Sequence, residues 1–217
     1  MLYEKHRPRT WDEYVGQDKA RDLARRMIER PGFDHGSFWI DAGGDNNSGV
    51  GKTTLALLMA NQLADDFFIA LADGAAVDKS YVRDMDRSAQ LTTWGEKRFR
   101  VYVINEAHAI TSGAVDAFVT FLERLPKHCV VIFTTTRQPD EGLFGSDTGP
   151  FASRCIPIRL TNQGLAKAFA ERALGIARAE GLDGGKVLED VVKLVQRCKN
   201  NLRATFQQIE AGVLLGA

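Results

Sequence analysis

Along the first three quarters of the chain, short apolar runs alternate with segments whose apolar residues recur every three or four positions. The runs Ser37–Ala42, Phe67–Ala72, Arg100–Asn105, Cys129–Thr134 and Cys155–Leu160 predict strands. Several are nearly continuous in apolar residues, as strands covered on both faces of a parallel sheet must be. Between them, Ala20, Leu23, Ala24 and Met27 form one helical stripe, and Ala114, Phe118, Phe121, Leu122 and Leu125 another. This alternation predicts an α/β, doubly wound parallel sheet over residues 1–160.

Beyond Leu160 the pattern becomes purely helical. Thr161 is placed to cap a helix carrying Leu165, Phe169, Ala173 and Ile176, and Gly181, Gly184 and Gly185 mark the turn after it. Leu188, Val191, Val192 and Val195 make a second stripe, and Leu202, Phe206, Ile209 and Val213 a third. A small three-helix domain over residues 161–217 is the expectation. Gln138–Pro150, with three glycines and two prolines, predicts a long irregular loop of a sort often functional or mobile.

Composition adds exclusions. A chain of 217 residues, 44% hydrophobic and 26% charged, has the make-up of a soluble globular protein. No run approaches the ~20 apolar residues of a membrane span, and Met1–Thr10 has no secretory h-region, so a cytoplasmic protein without membrane partners is expected. Cys129, Cys155 and Cys198 are too few and too scattered for a disulfide framework or a zinc site. Lysine plus arginine and aspartate plus glutamate balance at 28 each, so nucleic acid must be met by a local patch or a surface assembled from several copies.

The strongest chemical signal is Asn46-Asn47-Ser48-Gly49-Val50-Gly51-Lys52-Thr53, which follows a predicted strand and opens a predicted helix over Thr53–Ala64. Backbone N–H groups at such a turn point at an anion, and the helix dipole adds positive potential. Ser48, Gly49, Val50, Gly51, Lys52, Thr53 and Thr54 are therefore expected to cradle the phosphates of ATP. Lys52 reaches the β- and γ-phosphates and the Thr53 hydroxyl ligates Mg²⁺. The usual first glycine is Asn46 here, a residue that tolerates left-handed backbone angles. Alternatively, Gly44 is the first glycine of a loop two residues longer.

The run Val101-Tyr102-Val103-Ile104 ends in Asn105-Glu106-Ala107-His108. Phosphate-loop ATPases place two acids at the end of such a strand, one helping to hold Mg²⁺ and the next polarising the attacking water. Glu106 takes the second role. Asn105 stands in the first, able to accept a hydrogen bond from metal-bound water but adding no negative charge. His108 reads as a local packing or hydrogen-bonding residue.

With these motifs in place, the chain resembles the AAA+ ATPases of DNA sliding-clamp loaders, such as the gamma/tau subunits of bacterial polymerase III and the replication factor C small subunits. Tyr3–Gln17 is similar to their opening segment, with His6 where they usually carry Tyr. The resemblance implies that this segment, through Arg7 and Pro8, lies against the adenine. Ala114–Pro126 resembles a family helix, and Val131–Thr136 resembles the sensor-1 strand, which gives Thr135 or Thr136 a contact to the γ-phosphate or water. Ser153-Arg154-Cys155 matches the family's S-R-C motif, which implies that Arg154 is an arginine finger acting on a neighbouring subunit's ATP. Asn200-Asn201-Leu202-Arg203 resembles the sensor-2 helix start, which gives Arg203 the γ-phosphate of its own subunit and makes the three-helix domain a lid. Val77–Arg83 is loosely similar to the helix start that faces DNA in assembled loaders, or is an ordinary solvated helix.

The resemblance implies an ATP hydrolase using Mg²⁺. Its partners would be other AAA+ subunits, a sliding clamp and primer–template DNA. A helicase loader, another AAA+ DNA remodeller and a non-catalytic ATP-binding subunit are the alternatives, the last permitted by Asn105. Ala217 follows soon after the sensor-2 segment, with no match to the collar domain usual in the family. Weak self-association, or association with a collar-bearing partner, is therefore expected rather than a constitutive ring.

Overall fold

The computed structural model describes residues 1–43, 48–136, 151 and 153–216. The choice between Asn46 and Gly44, and the segment Gln138–Pro150, lie outside these residues. The strands are β1 (Gly36–Asp41), β2 (Ile69–Asp73), β3 (Arg100–Asn105), β4 (Cys129–Thr134) and β5 (Ile156–Arg159). Among the described residues they form one sheet in the order β2-β3-β4-β1-β5, and every pairing is parallel.

The period-two alternation of the strands divides the core between the two faces of the sheet. Phe38, Ile40, Val101, Val103, Val130 and Ile132 pack on the side of α2 (Asp18–Glu29) and α3 (Lys52–Leu63). Trp39, Tyr102, Ile104, Val131 and Phe133 pack on the side of α4 (Lys79–Ala89) and α5 (Ser112–Glu123). There Phe133 meets Phe118 and Phe151 edge-on, with centroids 5.2 and 5.0 Å apart. Because β1 lies between β4 and β5 while the chain next forms β2 at the far edge, the crevice at the carboxyl ends of β1, β3 and β4 is a topological switch point, where ligands bind in such sheets.

Two expectations need correction. The second strand begins at Ile69, because Asp66–Phe68 forms a 3-10 turn closed by Phe68 N–H donating to Asp65 O at 2.8 Å. The turn buries Phe68 and leaves Phe67 77% exposed against Trp94. Thr161 does not cap the following helix, α6 (Ala166–Ala179), whose N-cap is Leu165. Its hydroxyl instead accepts from Gln163 N–H at 2.9 Å, and its backbone N–H donates to Gln17 Oε1 at 3.0 Å. A buried glutamine has claimed Thr161 for a junction.

Two further helices, α7 (Leu188–Arg197) and α8 (Leu202–Glu210), complete the helical part among the described residues. Between them Lys199 and Asn200 both take left-handed angles, with φ of 54° and 56°. Asn200 Nδ2 donates to Asn162 O at 2.8 Å, so the turn is held against the start of this region. Its stripe residues Phe169, Val191, Val195, Phe206 and Ile209 join the same apolar cluster as α2 and α3. At the other end of the chain α1 (Leu2–Lys5), a single turn, lies against α8.

Candidate functional site

The phosphate loop is supported from below and above. Gly51, the N-cap of α3, has φ of 105°, and a Cβ there would sit 2.9 Å from the Tyr14 ring. Gly49 has φ of 73°, and a Cβ there would collide with the Asn201 amide oxygen. Glycine is required at both, for backbone angle and for space. The Tyr14 hydroxyl donates to Gly51 O at 3.2 Å, and burial pushes its acidity far below that of an ordinary phenol. Gln17, 3% exposed, donates to Val50 O at 3.4 Å and to Thr161 O at 2.7 Å.

Lys52 opens α3 with its side chain in the cleft and only 7% exposed. Burial lowers its pKa from the ordinary lysine value; Glu106 opposes that shift, Arg203 reinforces it and Asp41 opposes it. An anion in the cleft would relieve this cation. Next to it, the Thr53 hydroxyl donates to Asn105 Oδ1 at 3.1 Å, and the Thr134 hydroxyl donates to the same oxygen at 3.0 Å. A hydroxyl that donates to Asn105 keeps its lone pairs for a cation. Among the described residues no group of three or more His, Cys, Asp or Glu could hold a metal, so a cation here would rely on Thr53, phosphate oxygens and water.

Glu106 follows β3 with φ of 50° and ψ of 48°, a left-handed conformation that costs of order 1–3 kcal/mol outside glycine. Glycine at position 74 leaves room for it, since a Cβ there would collide with the Glu106 carbonyl oxygen. The carboxylate is 45% exposed and lines the cleft. His108 Nδ1 lies 3.4 Å from Glu106 Oε2 and 3.3 Å from the hydroxyl of Thr135, which is itself fully buried at the end of β4.

The helical region forms one side of the cleft. Leu202 N–H donates to Gly49 O at 3.2 Å, and Asn201 caps α8 by accepting from Ala204 N–H at 3.0 Å. Arg203, one residue into α8, lines the cleft with its guanidinium 5.3 Å from the centre of the Tyr3 ring. His6, Arg7, Pro8 and Val15 also line it, together with Phe169 and Arg172.

The wall segment is tied to the helical region. Arg172 donates to His6 O at 2.8 Å, and Glu180 accepts from Lys5 Nζ at 2.8 Å and lies 2.6 Å from His6 Nε2. These contacts hold the Glu180 carboxyl below its ordinary pKa, the Lys5 hydrogen bond most. Leu2 N–H donates to Glu210 Oε1 at 2.8 Å.

Of the residues singled out in the sequence, Arg7, Pro8, Ser48, Gly49, Val50, Gly51, Lys52, Thr53, Thr54, Glu106 and Arg203 share this one cleft. Asn105 touches it through Thr53, and Thr135 lies behind Glu106 across His108. Arg154 is not among the lining residues. It forms an ion pair with Glu123 at the end of α5, and its carbonyl accepts from Ser37 Oγ at 2.5 Å. Tyr14, Gln17, Arg172 and Asn201 were not picked out individually. Tyr14 and Gln17 lie in the opening segment and Asn201 in the sensor-2 segment, but a lone arginine on a helix, as Arg172 is, carries no sequence signal.

Residues 46–143 match the ATPase family associated with various cellular activities (AAA). Among curated proteins, the chain is 26% identical over 201 residues to replication factor C small subunit 1 of Pyrobaculum islandicum, covering 89% of this chain and 55% of that protein. It is 27% identical over 222 residues to the replication factor C small subunit of Archaeoglobus fulgidus, covering 98% of this chain and 64% of that protein. The chain thus spans a little over half to just under two thirds of the length of these relatives. Among solved structures, the RuvB Holliday junction branch migration motor of Thermotoga maritima superposes with a TM-score of 0.70 at 21% identity, covering 94% of this chain and 64% of that one. A point mutant of the same RuvB superposes with a TM-score of 0.72 at 20% identity, covering 94% and 64%. Residues 46–143 thus match the AAA ATPase family, the fold is an α/β AAA+ fold, and the chain resembles the replication factor C small subunits.

Proposed function

We propose that the chain is an ATP hydrolase of the clamp-loader type, with residues 1–160 as its nucleotide-binding unit and 161–217 as its lid. The observation that carries this reading is the convergence of Lys52, Thr53, Glu106 and Arg203 on one cleft, from the phosphate loop, the end of β3 and the lid. Lys52 and the first N–H groups of α3 hold the β- and γ-phosphates. Thr53 ligates Mg²⁺, and Asn105 orients Thr53. Bound Mg²⁺ supplies positive charge to the phosphate oxygens. Glu106 takes the proton of the attacking water, Thr135 or Thr136 contacts the γ-phosphate side, and Arg203 reports the γ-phosphate to the lid. Arg7 and Pro8 contact the adenine. Arg154 acts on the ATP of an adjacent AAA+ subunit, which is either a second copy or a collar-bearing partner.

The resemblance of the sequence motifs to clamp loaders, together with curated relatives named replication factor C small subunits, supports a sliding clamp on primer–template DNA as the object of the work. Among the described residues no helix is long and apolar enough to cross a membrane, in keeping with a cytoplasmic role. Single-turnover hydrolysis at saturating protein tests the reading, with and without a sliding clamp and primed DNA. Turnover that disappears in Glu106→Gln and is stimulated by clamp and DNA together is expected. Tight ATP binding without turnover under any condition would make the chain a binding subunit instead.

A further inference from the structure

Glu106 is held by its backbone but not by its own side chain. The Glu106 carbonyl fits against Gly74 on one side, where a Cβ would collide with it, and accepts from Ala109 N–H at 2.8 Å on the other. The carboxylate itself reaches into a cleft where it is 45% exposed, so several rotamers would be open to it. The group facing it is His108, whose Nδ1 lies 3.4 Å from Oε2 and 3.3 Å from the Thr135 hydroxyl. His108 is 24% exposed and sits on the 3-10 turn Ala107–Ala109, which buried Ala107 anchors to the core.

We infer that His108 is the positioning residue of Glu106: it fixes one carboxylate oxygen and leaves the other directed at the water site. This rests on the reading of Glu106 as general base. A single ring nitrogen has one lone pair or one proton in the ring plane, so Nδ1 serves Thr135 or Glu106 at one moment, not both. In one tautomer Nδ1 accepts the Thr135 proton; in the other it donates its own to Oε2. The imidazole thereby bears on the aim of the base without itself touching substrate.

The test combines kinetics with the side-chain nitrogen signals of ¹⁵N-histidine-labelled protein. His108→Ala is expected to lower kcat on the order of 10- to 100-fold, the scale for a misplaced catalytic group, while ATP affinity and melting temperature stay unchanged. His108→Asn, which sets an amide near the position of Nδ1, is expected to recover most of the rate. In the nucleotide-free chain, Glu106→Gln should shift the His108 Nδ1 resonance. Full kcat in His108→Ala would overturn the inference. So would an Nδ1 signal indifferent to Glu106→Gln, or a rate loss that tracks a fall in melting temperature and is not rescued by Asn. A wild-type chain that binds ATP without turning it over fails the reading of Glu106 itself, and the inference falls with it.

Discussion

Leu202 N–H donates to Gly49 O at 3.2 Å, so the first turn of α8 is hydrogen-bonded directly to the phosphate loop. The Asn201 amide fills the space a side chain at position 49 would need. Gly49→Ala therefore meets two obstacles: a left-handed residue costing roughly 1–2 kcal/mol, and a collision that pushes the lid away. A lowered melting temperature and weaker ATP binding are expected together, by calorimetry. Asn201→Gly added to Gly49→Ala should restore part of the affinity, because it removes the collision and leaves the backbone cost and the lost cap of α8.

Lys52→Ala removes a charge-assisted contact worth about 1.5–3 kcal/mol, so ATP should bind about tenfold to a hundredfold more weakly. Unchanged affinity by calorimetry would exclude the phosphate-loop assignment.

The lowered pKa of Lys52 gives this contact a pH dependence. In the free protein the protonated form is disfavoured relative to the unfolded chain, so this penalty on stability fades as pH rises through the folded pKa. Phosphates favour the protonated form, so ATP affinity should fall over the same rise, at lower pH than an ordinary lysine would require. Lys52→Arg, which does not deprotonate, should flatten that fall whatever it does to the absolute affinity.

Asn105 Oδ1 accepts from both Thr53 and Thr134. A carboxylate at this position can keep both hydrogen bonds and add the missing negative charge. Asn105→Asp is thus expected to raise turnover or to lower the Mg²⁺ needed for half-maximal rate in a metal titration. An unchanged Mg²⁺ dependence would mean that neutrality at this position does not limit the site.

Arg154 is paired with Glu123 in the single chain and makes catalytic sense only beside another subunit. Specific activity should rise steeply with protein concentration, because arginine fingers contribute about 10³–10⁵ in rate. Arg154→Ala and Glu106→Gln chains, each inactive alone, should recover partial activity when mixed. The first offers an intact water-activating site and the second offers the finger. Constant specific activity across a wide dilution series, with no recovery on mixing, would show that this chain does not act on its own copies.

The parallel sheet was legible because β3 and β4 bury both faces and therefore read as unbroken apolar runs. The phosphate loop was legible because its chemistry depends on local order, glycine then lysine then threonine. What escaped was decided by contacts distant in sequence. Thr161 carries a sound capping signal, yet Gln17 binds it across the junction. Phe67 and Phe68 look equally apolar, and only the turn at Asp65 sends one inward. Arg172 and Asn201 matter through what they meet, His6 O and Gly49, and no periodicity announces either meeting.

The segment bearing Arg7 and Pro8 is fastened at both ends, to the helical region on one side and to the phosphate loop on the other. Glu180, Arg172 and Glu210 grip it from the lid, while Tyr14 and Gln17 grip it from beneath the phosphate loop. It bridges the two. If residues 161–217 move as a lid over bound nucleotide, as proposed, that motion would pull on the wall that would hold the base. A triphosphate with the wrong base would then be felt at Arg203 as well as at Arg7 and Pro8.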